Sequence, residues 1–167
     1  MVPPSSAAPL DARRIRAALA GHATGADVRV HEELASTSDC VRELGFAGHP
    51  HGAVVFAESQ TAGRGRRENR WNAEPRDDLL FSILLRPDVG LEKFSRLATL
   101  AALGLSRGVE VAGAFAPQIK WPNDLLLGGK KFCGILAEMF TSPAGPFLVL
   151  GVGMNVNRIA FPPDLRG

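Results

Sequence analysis

Gln118-Ile119-Lys120-Trp121-Pro122-Asn123-Asp124-Leu125-Leu126-Leu127-Gly128-Gly129-Lys130-Lys131 sets two short apolar runs beside two turn signals. Pro122 pushes Trp121 toward an extended conformation, and Asn123 with Asp124 forms a polar turn at the mouth of a hairpin. Gly128-Gly129 reads as a second, tighter hairpin turn. Beyond it, Lys131 to Phe140 and Phe147 to Val156 are further apolar segments of strand length, again separated by Pro and Gly. Strands joined in this way predict a largely antiparallel or mixed sheet.

The pattern extends upstream. Gly52 to Glu58 is a nearly unbroken apolar run, and in Leu79 to Arg86 the residues Leu79, Phe81, Ile83 and Leu85 share one face, so both read as central strands. Three helices are expected. Asp11 to Ala20 places Ile15 and Leu19 at helical spacing on an otherwise charged surface helix. Ser36 and Thr37 supply a hydroxyl cap for a short helix that carries Asp39 in its first turn and ends near Gly45. Leu91 to about Val109 is the long amphipathic helix, with Phe94, Leu97, Ala98, Ala101, Leu105 and Gly108 recurring on one side. The sum is an α+β domain in which helices cover the sheet.

Between the two central strands lies Gln60-Thr61-Ala62-Gly63-Arg64-Gly65-Arg66-Arg67-Glu68-Asn69-Arg70-Trp71. Glycine permits close backbone approach, and arginine offers a planar fork of donors for carboxylate or phosphate, so this loop is suited to holding an anion. Nucleic acid is one candidate, yet Lys plus Arg number 19 against 17 Asp plus Glu, a net charge of only +2. A nucleic-acid binder spreads a basic excess over a whole face, so a small phosphorylated or carboxylated ligand is the better expectation, with a solvated charged loop as the plain alternative.

At 167 residues and 46% hydrophobic content the chain suffices for one domain with a full core. Residues 1–10, rich in Pro, Ser and Ala, read as a loose tail without the apolar core of a secretory signal, and 11–167 as the domain. Cys40 and Cys133 lie far apart and match no metal-ligand spacing, so free thiols in a cytoplasmic setting are the default. No apolar run approaches the length that crosses a bilayer.

Lys120, Asp124, Lys131 and the arginine loop together suit a nucleotide held by its phosphates with a metal between them. Taken singly, Asp124 reads first as a hydrogen-bonded turn residue and Lys131 as a snorkelling edge charge; only the combination favours the ligand site. Their combination and order resemble the biotin protein ligases: Gln60 to Arg67, Lys120 to Asp124, Lys131 with Gly134-Ile135-Leu136, and Gly151-Val152-Gly153-Met154-Asn155-Val156. Ser36-Thr37-Ser38 resembles the Ser-Thr-Asn of the family's first site helix. The resemblance covers about Val30 to Asn157.

That resemblance implies a fold similar to the class II aminoacyl-tRNA synthetases and a two-step ligase. Biotin's carboxylate attacks the α-phosphate of ATP, giving biotinyl-adenylate and pyrophosphate, and a lysine of a biotin carboxyl carrier protein then takes the acyl group. By resemblance, Ser36, Thr37, Ser38, Gln60, Gly63, Arg64, Arg66, Lys131 and Gly134 belong to the biotin site. Arg66, Arg67, Trp71, Lys120, Asn123, Asp124, Lys131 and Asn155 belong to the ATP and adenylate site, with Asp124 facing Mg²⁺. Lys131 is the catalytic candidate that holds carboxylate and α-phosphate together, and Arg66 the one that closes over the intermediate, with Trp71 packing against the adenine end. A noncatalytic biotin-binding remnant and a lipoate ligase are the alternatives, the latter lacking its own signatures here.

The sequence departs from the family at Glu68-Asn69, where glycine and arginine are common, at Ser38 in place of asparagine, and at Cys133 in place of a small apolar residue. No winged helix-turn-helix segment precedes the catalytic region, so repressor activity and DNA binding are not expected. The sequence stops at Gly167, ahead of the family's SH3-like β-domain, so the catalytic domain is expected to be a truncated or shortened form. A homodimer is compatible with the family.

Overall fold

The computed structural model describes residues 8–67, 69–90, 93–113, 115–158 and 161, without the side chains of residues 94 and 95. Most of the expected tail, the first residues of the expected long helix and Glu68 fall outside that set. The elements run α1 (Ala12–Ala18), β1 (Val28–Leu34), α2 (Thr37–Phe46), β2 (Val54–Gln60), β3 (Asp78–Leu85), α3 (Phe94–Gly113), β4 (Gln118–Lys120), β5 (Asp124–Leu127), β6 (Lys130–Ser142) and β7 (Gly145–Asn155). The seven strands form one sheet in the order β1-β2-β3-β7-β6-β5-β4. Only β1 and β2 pair in parallel; every other neighbouring pair is antiparallel. The mixed, largely antiparallel sheet is as expected, and β2 and β3 are interior strands.

β1 is the element that sequence reading passed over. Val28-Arg29-Val30-His31-Glu32-Glu33-Leu34 carries four polar residues among seven, so its apolar signal is thin. Its place is secured by the parallel ladder to β2, from Val28 against Val54 to Leu34 against Gln60. In exchange, β1 and β2 end side by side, which delivers the start of α2 and the start of the arginine loop to the same edge of the site.

Both faces of the sheet are covered. On one, α2 packs Val41 and Leu44 against Val55, Leu84, Phe147 and Val149. On the other, Leu97, Ala101, Ala102, Leu105 and Val109 of α3 meet Leu125, Cys133, Ile135, Leu150 and Val152. α1 closes the β1–β2 end through Ile15 and Leu19. The two faces of β3 therefore alternate between Leu80, Ser82 and Leu84, which are wholly buried, and the expected row Leu79, Phe81, Ile83 and Leu85, which is partly so. Gly128 and Gly129, at φ +57° and +79°, make the tight β5–β6 turn that their sequence announces. Among the described residues no helix is long and apolar enough to cross a membrane.

Asp78 opens β3 with its side chain wholly buried. Desolvation pushes its carboxyl up to about 6, against the opposing pull of the Glu74 N–H and Arg158, with Asp77 and Glu74 adding repulsion. A native carboxyl raised above its unfolded value holds its proton when the unfolded chain has released it. Its contribution to stability is thus complete below about pH 4 and is lost as pH rises through about 6. Asp78→Asn should flatten that limb of the stability profile, measured as denaturant midpoints from pH 4 to 8; an unchanged slope would refute the assignment.

Candidate functional site

α2 points its N-terminus into a cavity formed where β2, β6 and β7 meet the arginine loop. Ser36 is its N-cap, yet the Ser36 hydroxyl makes no capping bond. The cap is instead supplied from β2: Gln60 Oε1 accepts from the Thr37 N–H at 2.7 Å and from Thr37 Oγ1 at 3.1 Å. Thr37 Oγ1 and Ser38 Oγ also lie 2.8 and 3.0 Å from Ser82 Oγ. Five neutral polar side chains thereby converge at one end, with Ser36, Thr37, Ser38 and Ser82 buried.

The other end is charged. Lys131, the second residue of β6, reaches back across the hairpin so that its Nζ lies 2.8 Å from Asp124 Oδ1. The same ammonium sits 5.6 Å from the centroid of the Trp71 ring. Asn123 is clamped to β6, its Nδ2 donating to the Ile135 carbonyl at 2.9 Å and its own carbonyl accepting from the Ile135 N–H at 2.9 Å. Cys133 lies close by on the apolar side; burial pushes its thiol up to about 12 despite Lys131, so it stays neutral and inert.

The arginine loop crosses this cavity as a lid. Gly65 N–H donates to the Asn69 carbonyl and Trp71 N–H to the Gly63 carbonyl, at 2.7 and 3.0 Å, and Arg67 turns the tip at φ +54°. Arg64 anchors the base: its Nη1 and Nη2 donate to the two carboxylate oxygens of Glu138 at 2.9 and 2.8 Å, and Nη2 lies 3.2 Å from Asp39. At the tip, Arg66 Nη1 donates to Asn123 Oδ1 at 2.9 Å. Trp71 then lays its indole over a strand pair with no side chains in the way. Gly134 and Gly153 are register partners on β6 and β7, and a Cβ on them would come within 2.8 and 2.4 Å of that ring.

Ser36, Thr37, Ser38, Gln60, Arg64, Arg66, Trp71, Asn123, Lys131 and Gly134 of the expected set line this one cavity of about 40 Å³. Gly63 stands just outside, against Gln60 and Trp71, and Asp124 contributes through Lys131. Arg67 and Lys120 are exposed and do not line it. Asn155, at the end of β7, is not in the lining either, and its Oδ1 is buried without a donor among the described residues. Trp71 rests on the cavity floor beside Lys131. Sequence reading placed Gly65 only within the anion-holding loop, Gly151 and Gly153 only within a family motif, and assigned no role to Ser82. A lone serine in the buried row of β3 was the available signal for Ser82.

Residues 30–155 match the Biotin/lipoate A/B protein ligase family. The chain belongs to that family. This member of the biotin/lipoate ligases is 38% identical over 160 residues to the bifunctional ligase/repressor BirA of Bacillus subtilis, covering 94% of this chain and 49% of that protein. It is 38% identical over 156 residues to the biotin--[acetyl-CoA-carboxylase] ligase of Mycobacterium tuberculosis, covering 90% of this chain and 57% of that one. Among solved structures, the biotin protein ligase of Aquifex aeolicus in complex with biotin and ATP superposes with a TM-score of 0.69 at 30% identity, over 84% of this chain and 57% of that chain. The sheet and its helices are those of a biotin protein ligase, a fold like that of the class II aminoacyl-tRNA synthetases. The chain spans about half the length of the curated relatives it matches.

Proposed function

We propose that this ligase-family member activates biotin with ATP and transfers it, through biotinyl-adenylate, to a lysine of a biotin carboxyl carrier protein. One observation carries the reading: a single cavity has a buried, neutral hydrogen-bonding end and a cationic end. Biotin has a neutral, polar ureido ring and an anionic carboxylate at opposite ends of an apolar chain. The names of the relatives from Mycobacterium tuberculosis and Aquifex aeolicus supply the same substrates.

Ser36, Thr37, Ser38 and Gln60 present hydroxyl and amide groups to the ureido ring, while Val152, Ile135 and the Trp71 face wall the apolar chain. Lys131 neutralises the carboxylate and the α-phosphate, two anions that must approach for the bond between them to form. Pyrophosphate departs with the electron pair of the cleaved phosphoanhydride bond. Arg66 and Arg67, on the lid, face the polyphosphate, and the lid keeps water from the acyl-adenylate until the carrier lysine attacks. Arg64, committed to Glu138 and Asp39, offers its backbone rather than its guanidinium to the ligand. Asn155, with its spare acceptor, faces the nucleotide side.

Among the described residues no three acidic, histidine or cysteine side chains gather as a resident metal site. A single carboxylate, Asp124, suits a Mg²⁺ that arrives on nucleotide phosphates, where the ion screens their charge. A homodimer and a cytoplasmic location belong to the same reading. The test is pyrophosphate release from ATP. Release that requires biotin supports the ligase; biotin binding without release would leave a noncatalytic remnant, and release driven by lipoate but not biotin would replace the substrate.

A further inference from the structure

Arg158 lies three residues past the end of β7 with its side chain only 2% exposed. Arginine is seldom buried this completely unless it holds something. Its Nη1 donates to the Asn72 carbonyl oxygen at 2.7 Å. The guanidinium also lies 3.7 Å from Glu74 and 3.7 Å from Asp78, with the Phe161 ring centroid 5.0 Å away. Asp78 Oδ2 accepts from the Glu74 N–H at 3.0 Å. The Val156 and Asn157 N–H groups both donate to the Asp77 carbonyl, at 3.2 and 2.8 Å. The return limb of the lid, residues 72–78, is therefore fastened from beneath by the chain that leaves β7.

Asn72 is the residue after Trp71, and its carbonyl is the point that Arg158 grips. Resting on the ligase reading, we infer that Arg158 is a positioning residue: by fixing the Asn72 backbone it seats the Trp71 indole on Gly134 and Gly153, and so holds the lid closed over the acyl-adenylate. The planar fork explains the choice of side chain. One guanidinium reaches a backbone carbonyl and two carboxylates at once, which a lysine ammonium on its flexible stem matches poorly. Each limb of the lid then has its own tie, Arg64 to Glu138 on the leading limb and Arg158 to Asn72 on the return limb, in addition to the bond between Arg66 and Asn123 at the tip.

The test uses a Trp121→Phe background, so that emission reports Trp71 alone, with Arg158→Met and Arg158→Lys added. Arg158→Met should red-shift Trp71 emission, raise its quenching by acrylamide, and release about tenfold more free biotinyl-adenylate into solution. The KM for biotin should rise more than kcat falls, and Arg158→Lys should recover part of each change. A folded Arg158→Met, or a folded Arg158→Lys should the first not fold, whose emission, quenching and adenylate retention match the parent would overturn the inference. So would failure of both variants to fold, since Arg158 would then serve the fold rather than the lid. Emission and quenching need no turnover. A parent that releases no pyrophosphate refutes the ligase reading, while the fluorescence still decides whether Arg158 seats Trp71.

Discussion

Lys131→Ala is expected to lower biotin-dependent pyrophosphate release by roughly 10²–10³-fold with the fold intact. Three cationic side chains line the cavity, and they are not equivalent. Arg64 is neutralised by Glu138 and Asp39, and Arg66 is exposed at the loop tip, where it donates to Asn123. Lys131 alone stands on the sheet, beside the Trp71 ring, where its position is set by β6 rather than by a loop. Its removal leaves the carboxylate and the α-phosphate to repel one another and strips Asp124 of its partner at 2.8 Å, adding a third negative charge. Lys131→Arg should restore only part of the rate, because a planar fork places its charge differently from an ammonium. Initial rates at saturating biotin and ATP decide it; an alanine variant within about threefold of the parent would remove Lys131 from the mechanism.

Gly153→Ala is the second large effect, and it acts without touching a charge. The new methyl would lie 2.4 Å from Trp71 Cε2 and 2.6 Å from Nε1, distances at which something must move. The strand is fixed on both sides, by β3 and β6, so the indole is what leaves. Displacing a positioning group by about an ångström can cost 10²-fold. A rise in KM for biotin of at least about tenfold is therefore expected, with Trp71 emission shifted to the red and little change in melting temperature. Gly104→Ala, on α3 with nothing within 4 Å of its added carbon, is the control and should leave biotin binding unaltered. Equal behaviour of the two variants would mean that the glycine floor is irrelevant to the ligand.

The hairpins of the C-terminal half were legible because their signals are local: Asn123-Asp124 and Gly128-Gly129 mark reversals within a few residues, and the apolar runs between them have no rival reading. β1 was not legible. Its strand character comes from pairing with β2 about 26 residues on, Val28 against Val54, not from its own mixed composition. The site divides in the same way. Ser36 to Ser38, Gln60, Lys131 and Gly134 were named as one site through a family resemblance, whereas residue types and spacing alone went no further than a nucleotide held by its phosphates among a lysine, a carboxylate and the arginine loop. The partners that fix these residues were out of reach: Arg64 and Glu138 are 74 positions apart, Arg158 and Asn72 are 86 apart, and neither glutamate nor arginine is unusual in its own neighbourhood. Gln60 as the cap of α2 was equally hidden, since a capping residue is sought beside a helix and not 23 positions away.

The bond between Arg66 and Asn123 is the one described side-chain hydrogen bond that ties the lid tip to the rest of the molecule, and it is exposed to solvent. A charge-assisted hydrogen bond of that kind contributes about 1.5–2 kcal/mol, less where water competes. At that strength or less, at least about one molecule in thirty would have its tip detached at any moment. Ligand entry would then be governed by a standing fraction of receptive molecules, exchanging on the microsecond to millisecond scale usual for loops, and not by a slow barrier. A triphosphate that draws Arg66 away from Asn123 would trade one partner for another at nearly constant free energy. The tip would thus work as a reversible clasp whose occupancy follows the concentration of nucleotide.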